Sequence, residues 1–405
     1  MFLLRIDRSR MTPASRVLAM RVLLLVAAGA MLGDGGGSSA AETVPRGGCG
    51  GGGGGGCFTR LFSFGDSITD NGNWLHYARS PGAVARPPYG ETFFRRPNGR
   101  FCDGRIIIDH IADALGLPFL TPYLAGNSSE DYAHGANFAV GGATALGHEY
   151  FRGKGLDVRF TPYSLRWQMA WLKNVLRVLS SSEQGRRDVM ASSLFLVGEI
   201  GGNDYNQALF QGRSADEVRT YVPDVVAGIL AAVTELIGLG AEFVVVPGNF
   251  PVGCNPGYLT KFETNDTAEY DALGCLRWPN DLTALHNRAL AAALAELRRR
   301  HPAAAAVVYA DYYAAAMDLT ADPRKHGFGG EPLVSCCGGG GPYNANLTAH
   351  CGTRASTTCR EPYGAVSWDG FHYTDHAYKV VADGVLRGPY AAPPILASCR
   401  RRRRT

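Results

Sequence analysis

A chain of 405 residues that is 46% hydrophobic and 19% charged can bury a full core, which excludes a disordered chain. The formal charge of +4 sits at the ends: five Arg against two Asp in residues 1–41, and five Arg at 400–404, leave 42–399 at −4. A slightly acidic body argues against a nucleic-acid-binding domain, and the length admits either two domains or one large α/β domain.

In chain order, Arg16 and Arg21 precede an apolar run over 22–32, and Ser39-Ala40-Ala41 supplies small residues for cleavage. Residues 1–41 therefore read as a secretory signal, the run being short for a membrane span. An uncleaved anchor is the alternative, and Met11 is an alternative start. Residues 42–57 contain a glycine run broken by Cys49 and read as a flexible leader. One folded domain is expected over 58–396, then a basic disordered tail over 397–405.

Within the domain, 61–64 reads as a short buried strand ending at a serine-bearing turn. A helix is expected over 105–115, stopped by Gly116 and Pro118, and a strand over 137–140 ending at Gly141-Gly142. The spacing of Trp171, Leu172, Val175, Leu176 and Leu179 predicts a helix over 165–179. Strands at 194–200, 242–246 and 306–309 then alternate with helices at 215–239, 280–300 and 375–386. That alternation predicts an α/β fold: a parallel sheet with right-handed crossovers and helices on both faces, and chemistry at the carboxyl ends of the strands.

Ten cysteines, all after the signal, suggest disulfides in an oxidising compartment. By local spacing Cys254 pairs with Cys275, and Cys336 or Cys337 with Cys351. A zinc set of Cys336, Cys337, His350 and Cys351 fits ligand spacing poorly. Asn127, Asn265 and Asn346 head glycosylation sequons.

Ser67 follows the first strand, and Asp369 and His372 stand three residues apart about three hundred residues later. A hydroxyl becomes a useful nucleophile when a His takes its proton and an acid holds that His in the right tautomer. Taken alone, Asp66-Ser67-Ile68-Thr69-Asp70 reads better as a helix cap than as a nucleophile turn, and Thr69 breaks the usual nucleophile elbow. Gly141-Gly142 and Gly201-Gly202-Asn203-Asp204 are turns that could also point N–H donors at a developing oxyanion. Asp131 and His134 repeat the acid-to-base spacing but precede a strand. Trp167, Met169 and Trp171 fit the core at helical spacing better than an acyl pocket. His76, His148 and His326 read as structural or solvated, and Asp70 and Asp204 as loop braces.

Four stretches, in order, resemble the blocks of the GDSL esterase/lipase family within the SGNH hydrolases, most of all its plant secreted branch. They are Phe-Gly-Asp-Ser-Ile-Thr-Asp-Asn-Gly-Asn (64–73), Asn-Phe-Ala-Val-Gly-Gly-Ala-Thr (137–144), Gly-Glu-Ile-Gly-Gly-Asn-Asp-Tyr (198–205) and Trp-Asp-Gly-Phe-His-Tyr-Thr (368–374). Residues 98–105, 251–254 and 343–344 support the match. Ile68 stands where the family name has Leu, an apolar swap of equal size.

The resemblance implies a three-layer α/β/α, flavodoxin-like fold with a central parallel sheet of about five strands. It implies Ser67 as nucleophile, His372 as base and Asp369 orienting it. The oxyanion donors would be the N–H groups of Ser67 and Gly142 and the Asn203 amide, with Gly141 the rival glycine. No metal or cofactor is called for. The expected partner is a small-molecule or polysaccharide ester, hydrolysed by a monomeric protein outside the cell (cell wall) or in the Golgi lumen. The rival readings are an acyltransferase working through the same acyl-enzyme and a non-catalytic secreted binding protein.

Overall fold

The computed structural model describes residues 57–402, apart from 159, 303–305 and 330. The proposed signal, nearly all of the glycine-rich leader with Cys49, and the last three residues lie outside the described residues.

Six parallel strands form the central sheet in the order β2-β3-β1-β4-β5-β6. They are β1 (Arg60–Phe64), β2 (Thr121–Pro122), β3 (Gly135–Asn137), β4 (Ser193–Val197), β5 (Phe243–Pro247) and β6 (Ala306–Ala310). Strands β4 and β5 are buried along their whole length, as a parallel sheet covered on both faces requires. Alternate residues feed two cores. Phe62, Phe64, Phe195, Val244 and Val246 pack against helices Leu165–Leu179, Val222–Gly238 and Arg277–Arg300. Leu61, Leu194, Leu196, Val245 and Val308 face helices Ile107–Ala114, Tyr312–Ala321 and Asp375–Arg387. The result is a three-layer α/β/α sandwich.

The expected sheet of about five strands gains a sixth. Strand β2 is two residues long and carries an edge proline, too short to show any periodicity. The expected strand at 137–140 begins earlier, at Gly135, although Phe138 and Val140 go on donating to Ser63 and Gly65. The expected helix 215–239 is two helices, Ala215–Arg219 and Val222–Gly238. Pro223 in the first turn of the second lacks the N–H that a continuous helix needs. Apolar enough to span a membrane by composition, this stretch is explained by the sheet face it covers.

The tail boundary also moves. Helix Ile395–Arg402 runs on from the last core residues, and Cys399 is bonded to Cys57 across 342 positions. A covalent tie to the start of β1 orders a stretch whose composition suggested disorder. Cys254–Cys275 forms as expected by spacing. In the glycine-interrupted loop Cys337 takes Cys351, while Cys336 takes Cys359, a partner that local spacing did not single out. Cys336, Cys337 and Cys351 are thus not available as zinc ligands. Cys102 keeps a buried free thiol.

Closing so long a loop constrains the unfolded chain, so Cys57→Ser with Cys399→Ser should lower stability by about 2–4 kcal/mol in chemical denaturation.

Candidate active site

The chain leaves β1 toward β3 and returns beyond β1 to form β4, so β1 and β4 flank the topological switch point where clefts open in such sheets. Just past β1, Gly65 adopts φ +136°, and a Cβ there would lie 2.9 Å from the Glu199 carbonyl oxygen. The buried Gln168 amide grips it from both sides, accepting from Gly65 N (2.9 Å) and donating to Gly65 O (2.8 Å). The Asp66 carbonyl accepts from Thr69 N and Asp70 N, and this turn presents Ser67 to the cleft. On the β4 side, a Cβ at Gly198 would lie 2.1 Å from the Phe64 carbonyl oxygen, so only glycine lets the two strand ends touch.

Asp70 is fully buried and accepts four backbone N–H groups: Gly72 and Asn73 at 2.7 Å, Gly141 at 2.8 Å and Trp74 at 3.0 Å. Burial pushes its carboxyl up to about 7, against the pull of those four donors. Asp204, equally buried, holds Ala145 N and Leu146 N. Both aspartates brace loops around the site.

His372 lies in the turn before helix Asp375–Arg387. Asp369 Oδ1 accepts Phe371 N and His372 N (3.1 and 3.0 Å), so the acid builds the turn that carries its own partner. His372 Nδ1 sits 2.9 and 2.8 Å from the two Asp369 oxygens, and Nε2 sits 2.8 Å from Ser67 Oγ. Burial pushes the Asp369 carboxyl up, but His372 and the donors around it outweigh burial and hold it below the ordinary value.

One of those donors was not foreseen. The buried Tyr89 hydroxyl donates to Asp369 Oδ2 at 2.8 Å from a loop 280 positions away. No periodicity or block marks a lone Tyr for this. The supporting stretch at 98–105 also acquires a reason. Phe101 packs its ring 5.1 Å from the His372 ring, and Arg105 holds Asp375 through its backbone N (2.7 Å) and Nε (3.1 Å). Buried Arg100 grips Asp109 with two bonds of 2.7 Å and so fixes the loop to helix Ile107–Ala114.

Opposite the serine, Gly141 N is taken by Asp70, whereas Gly142 N and Ser67 N have no acceptor among the described residues. Gly142 adopts φ +77°, and a Cβ on it would run into Phe160 at 2.4 Å. Asn203, in the first turn of helix Gly202–Leu209, donates Nδ2 to Asp66 Oδ2 (2.8 Å) and to the Ala143 carbonyl (3.2 Å). The structure thus brings together Ser67, Gly142, Asn203, Asp369 and His372 from four separate segments.

The family model for GDSL-like Lipase/Acylhydrolase matches residues 61–385. GDSL esterase/lipase At2g27360 of Arabidopsis thaliana is 46% identical over 84% of this chain and 87% of its own length. At1g28580 of the same plant is 44% identical over 85% and 88%, and the sinapine esterase of Brassica napus is 43% identical over 84% and 88%. The chain belongs to the GDSL-like lipase/acylhydrolase family. It is a carboxylic ester hydrolase of the plant GDSL esterase/lipase type.

The esterase's cleft encloses about 470 Å³. Its walls are aromatic, with Trp74, Phe101, Phe160, Phe210, Phe250 and Phe371, and Lys261 and His350 also line it. Met169 and Trp171 are core residues and Trp167 is exposed, so none of the three lines the cleft. Asp131 caps its own surface loop by accepting from Asn127 N and Ser128, and His134 is exposed, so that pair joins no site. His148 bonds the Thr161 carbonyl and His326 bonds Asp318, both away from the cleft. Asn127, Asn265 and Asn346 are all exposed.

The clamp on the His372 segment is pH-sensitive. Burial pushes the Asp375 carboxyl up, but His110, 3.2 Å away, and Arg105 outweigh it and hold it at about 2. A carboxyl lowered on folding stabilises the native state above its unfolded value of about 3.9, and that contribution is lost as pH falls toward 2. Asp375→Asn should therefore cost about 2 kcal/mol at pH 7, and the deficit in denaturation midpoints should shrink progressively below pH 4.

Proposed function

We propose that this protein is a secreted serine esterase working through an acyl-enzyme. Ser67 is the nucleophile, His372 the general base and then acid, and Asp369 the group that orients His372. The observation that carries this reading is the 2.8 Å contact between Ser67 Oγ and His372 Nε2, with Nδ1 held on Asp369.

Ser67 Oγ attacks the ester carbonyl while its proton passes to His372 Nε2. The imidazolium gains the Asp369 carboxylate as partner, which Tyr89 in turn steadies. The carbonyl oxygen becomes an oxyanion, received by the free N–H groups of Ser67 and Gly142 and by Asn203. The Asn203 hydrogen on the Ala143 carbonyl, the longer of its two bonds, is the one that turns to the oxyanion. Collapse expels the alcohol, protonated by His372. Water then attacks the acyl-Ser67 ester by the same route and releases the acid. The reading calls for no metal or cofactor.

Four disulfides among the described residues and three exposed sequons support passage through the secretory pathway, hence an extracellular or cell-wall location. An aromatic cleft of about 470 Å³ favours an ester with an apolar or aromatic acyl group over a bare acetate. One relative is named an esterase of sinapine, in keeping with a small-molecule ester.

Ser67→Ala should lower hydrolysis of a 4-nitrophenyl ester by on the order of 10⁴-fold or more without changing the melting temperature much. Near-full residual turnover, or a folded parent that resists a fluorophosphonate probe, would refute the triad. Asn203→Ala should cut kcat by on the order of 10²-fold with little change in KM. A change confined to KM would make Asn203 a ground-state contact instead. Across an acyl series from acetate to hexanoate, kcat/KM should rise by up to about fourfold per buried methylene. A falling series would point to acetylated polysaccharide.

A further inference from the structure

Two buried carboxyls lie directly beneath the site with no part in the steps above. Asp66 follows β1 and Glu199 follows β4, so the switch point brings them side by side, and their side chains share a hydrogen bond. Neither forms an ion pair with Lys, Arg or His among the described residues. Two carboxylates in contact away from water cannot both carry charge, so the pair must keep one proton.

The surrounding donors decide where it stays. Asp66 Oδ1 accepts Ile68 N at 3.0 Å and Oδ2 accepts Asn203 Nδ2 at 2.8 Å, both bonds that favour the ionised form. With the Asn249 amide assigned in the orientation that satisfies both its ends, Nδ2 donates to Glu199 Oε1 at 2.8 Å and Oδ1 accepts from Gly202 N at 3.2 Å. Asn249 and the Gly202 N–H also favour charge on Glu199, but its burial and the charge on Asp66 outweigh them, so Glu199 donates its own proton to Asp66.

We propose that Asp66 and Glu199 hold a single proton, resident on Glu199, and that this acid–carboxylate pair is the positioning device that aims the Asn203 amide at the oxyanion. The proposal rests on Ser67 being the nucleophile. One negative charge on Asp66 anchors one Asn203 hydrogen and leaves the other for the substrate. A second charge, on ionised Glu199, would oppose the oxyanion through a few ångströms of low-dielectric interior.

Burial agrees with this placement. It pushes Asp66 up to about 6, tempered by Ile68 N–H and Glu199, and pushes Glu199 well above the carboxylate range, helped by the charge on Asp66. The other titrating groups facing the pair fall outside the alkaline window. Asp204 is pushed up by burial to about 7, and the imidazole of His286, behind Gly201, is lowered by burial to about 4. The phenols of Tyr205, Tyr258, Tyr312 and Tyr373 are all raised by burial. His372 faces Asp66 from the other side and is the base of the reaction itself.

The test is kcat and KM for 4-nitrophenyl butyrate from about pH 6 to 10, corrected for buffer hydrolysis, with melting curves at each pH. In the parent, kcat should fall about tenfold or more on the alkaline side with KM nearly constant. Glu199→Gln, which keeps a neutral donor to Asp66 and an acceptor for Asn249, should stay within about tenfold of the parent at pH 7 and lose the alkaline fall. Glu199→Ala should lose kcat by on the order of 10²-fold at every pH. Should the alanine variant not fold, the parent and Gln profiles decide by themselves. A parent that is folded and active with a flat profile to pH 10, or a Gln variant with the same fall, overturns the shared-proton pair alone. A folded parent that neither turns over nor reacts with a fluorophosphonate overturns the serine reading and this inference with it.

Discussion

One hydrogen bond, Ser67 Oγ to His372 Nε2, joins residues 305 positions apart, and most of the architecture around the cleft serves to hold its two ends. Neither end is rigid by itself. Ser67 sits in a turn leaving β1, and His372 sits in a loop between the disulfide-bonded excursion and helix Asp375–Arg387. The sheet supplies one fixed end through Gly65, Gly198 and the Gln168 amide. Helix Asp375–Arg387, packed on the opposite face of the sheet, supplies the other through Asp375, Arg105 and the Asp369 turn.

The cost of this arrangement is an unusual number of acids buried at one strand edge. Asp66, Asp70, Asp204 and Glu199 are all shielded from water, and burying a charge without partners is prohibitive. Each is answered locally. Asp70 and Asp204 collect backbone N–H groups, Asp369 collects N–H groups, a phenol and an imidazole, and Asp66 leans on Asn203 and Glu199. The same bonds cross between segments: Asn73 reaches the Asn137 and Ala139 carbonyls, and Asn137 reaches back to Thr69 O. The polar residues that crowd the sequence blocks therefore stitch loop to loop, and Ser67 and His372 stand on a framework satisfied largely by main chain.

Much of this could be read in advance. Helix Leu165–Leu179 matches its periodicity to the residue, because a stripe of large apolar side chains has only one way to face the sheet. Strand β5 announced itself as a β-branched run. Strand β2 did not, since two edge residues carry no period, and Pro223 divided a helix whose composition looked continuous. Cys336 chose Cys359 over a nearer partner because the short antiparallel pair β7 (Cys337–Gly338) and β8 (Thr357–Thr358) brings those two segments together.

The amino-acid order alone determined the alternating α/β architecture, because the periods of strands and helices are local properties of a chain, whereas Ser67, Asp369, His372, Asn203 and the pair Gly141-Gly142 stood out only through the resemblance of four sequence blocks to a known family. Only the tertiary structure decided which of two adjacent glycines keeps its N–H open, since that depends on where buried Asp70 reaches. It alone found Tyr89 behind Asp369 and set Glu199 against Asp66. Those contacts join side chains from distant segments whose spacing in sequence carries no information about their spacing in space.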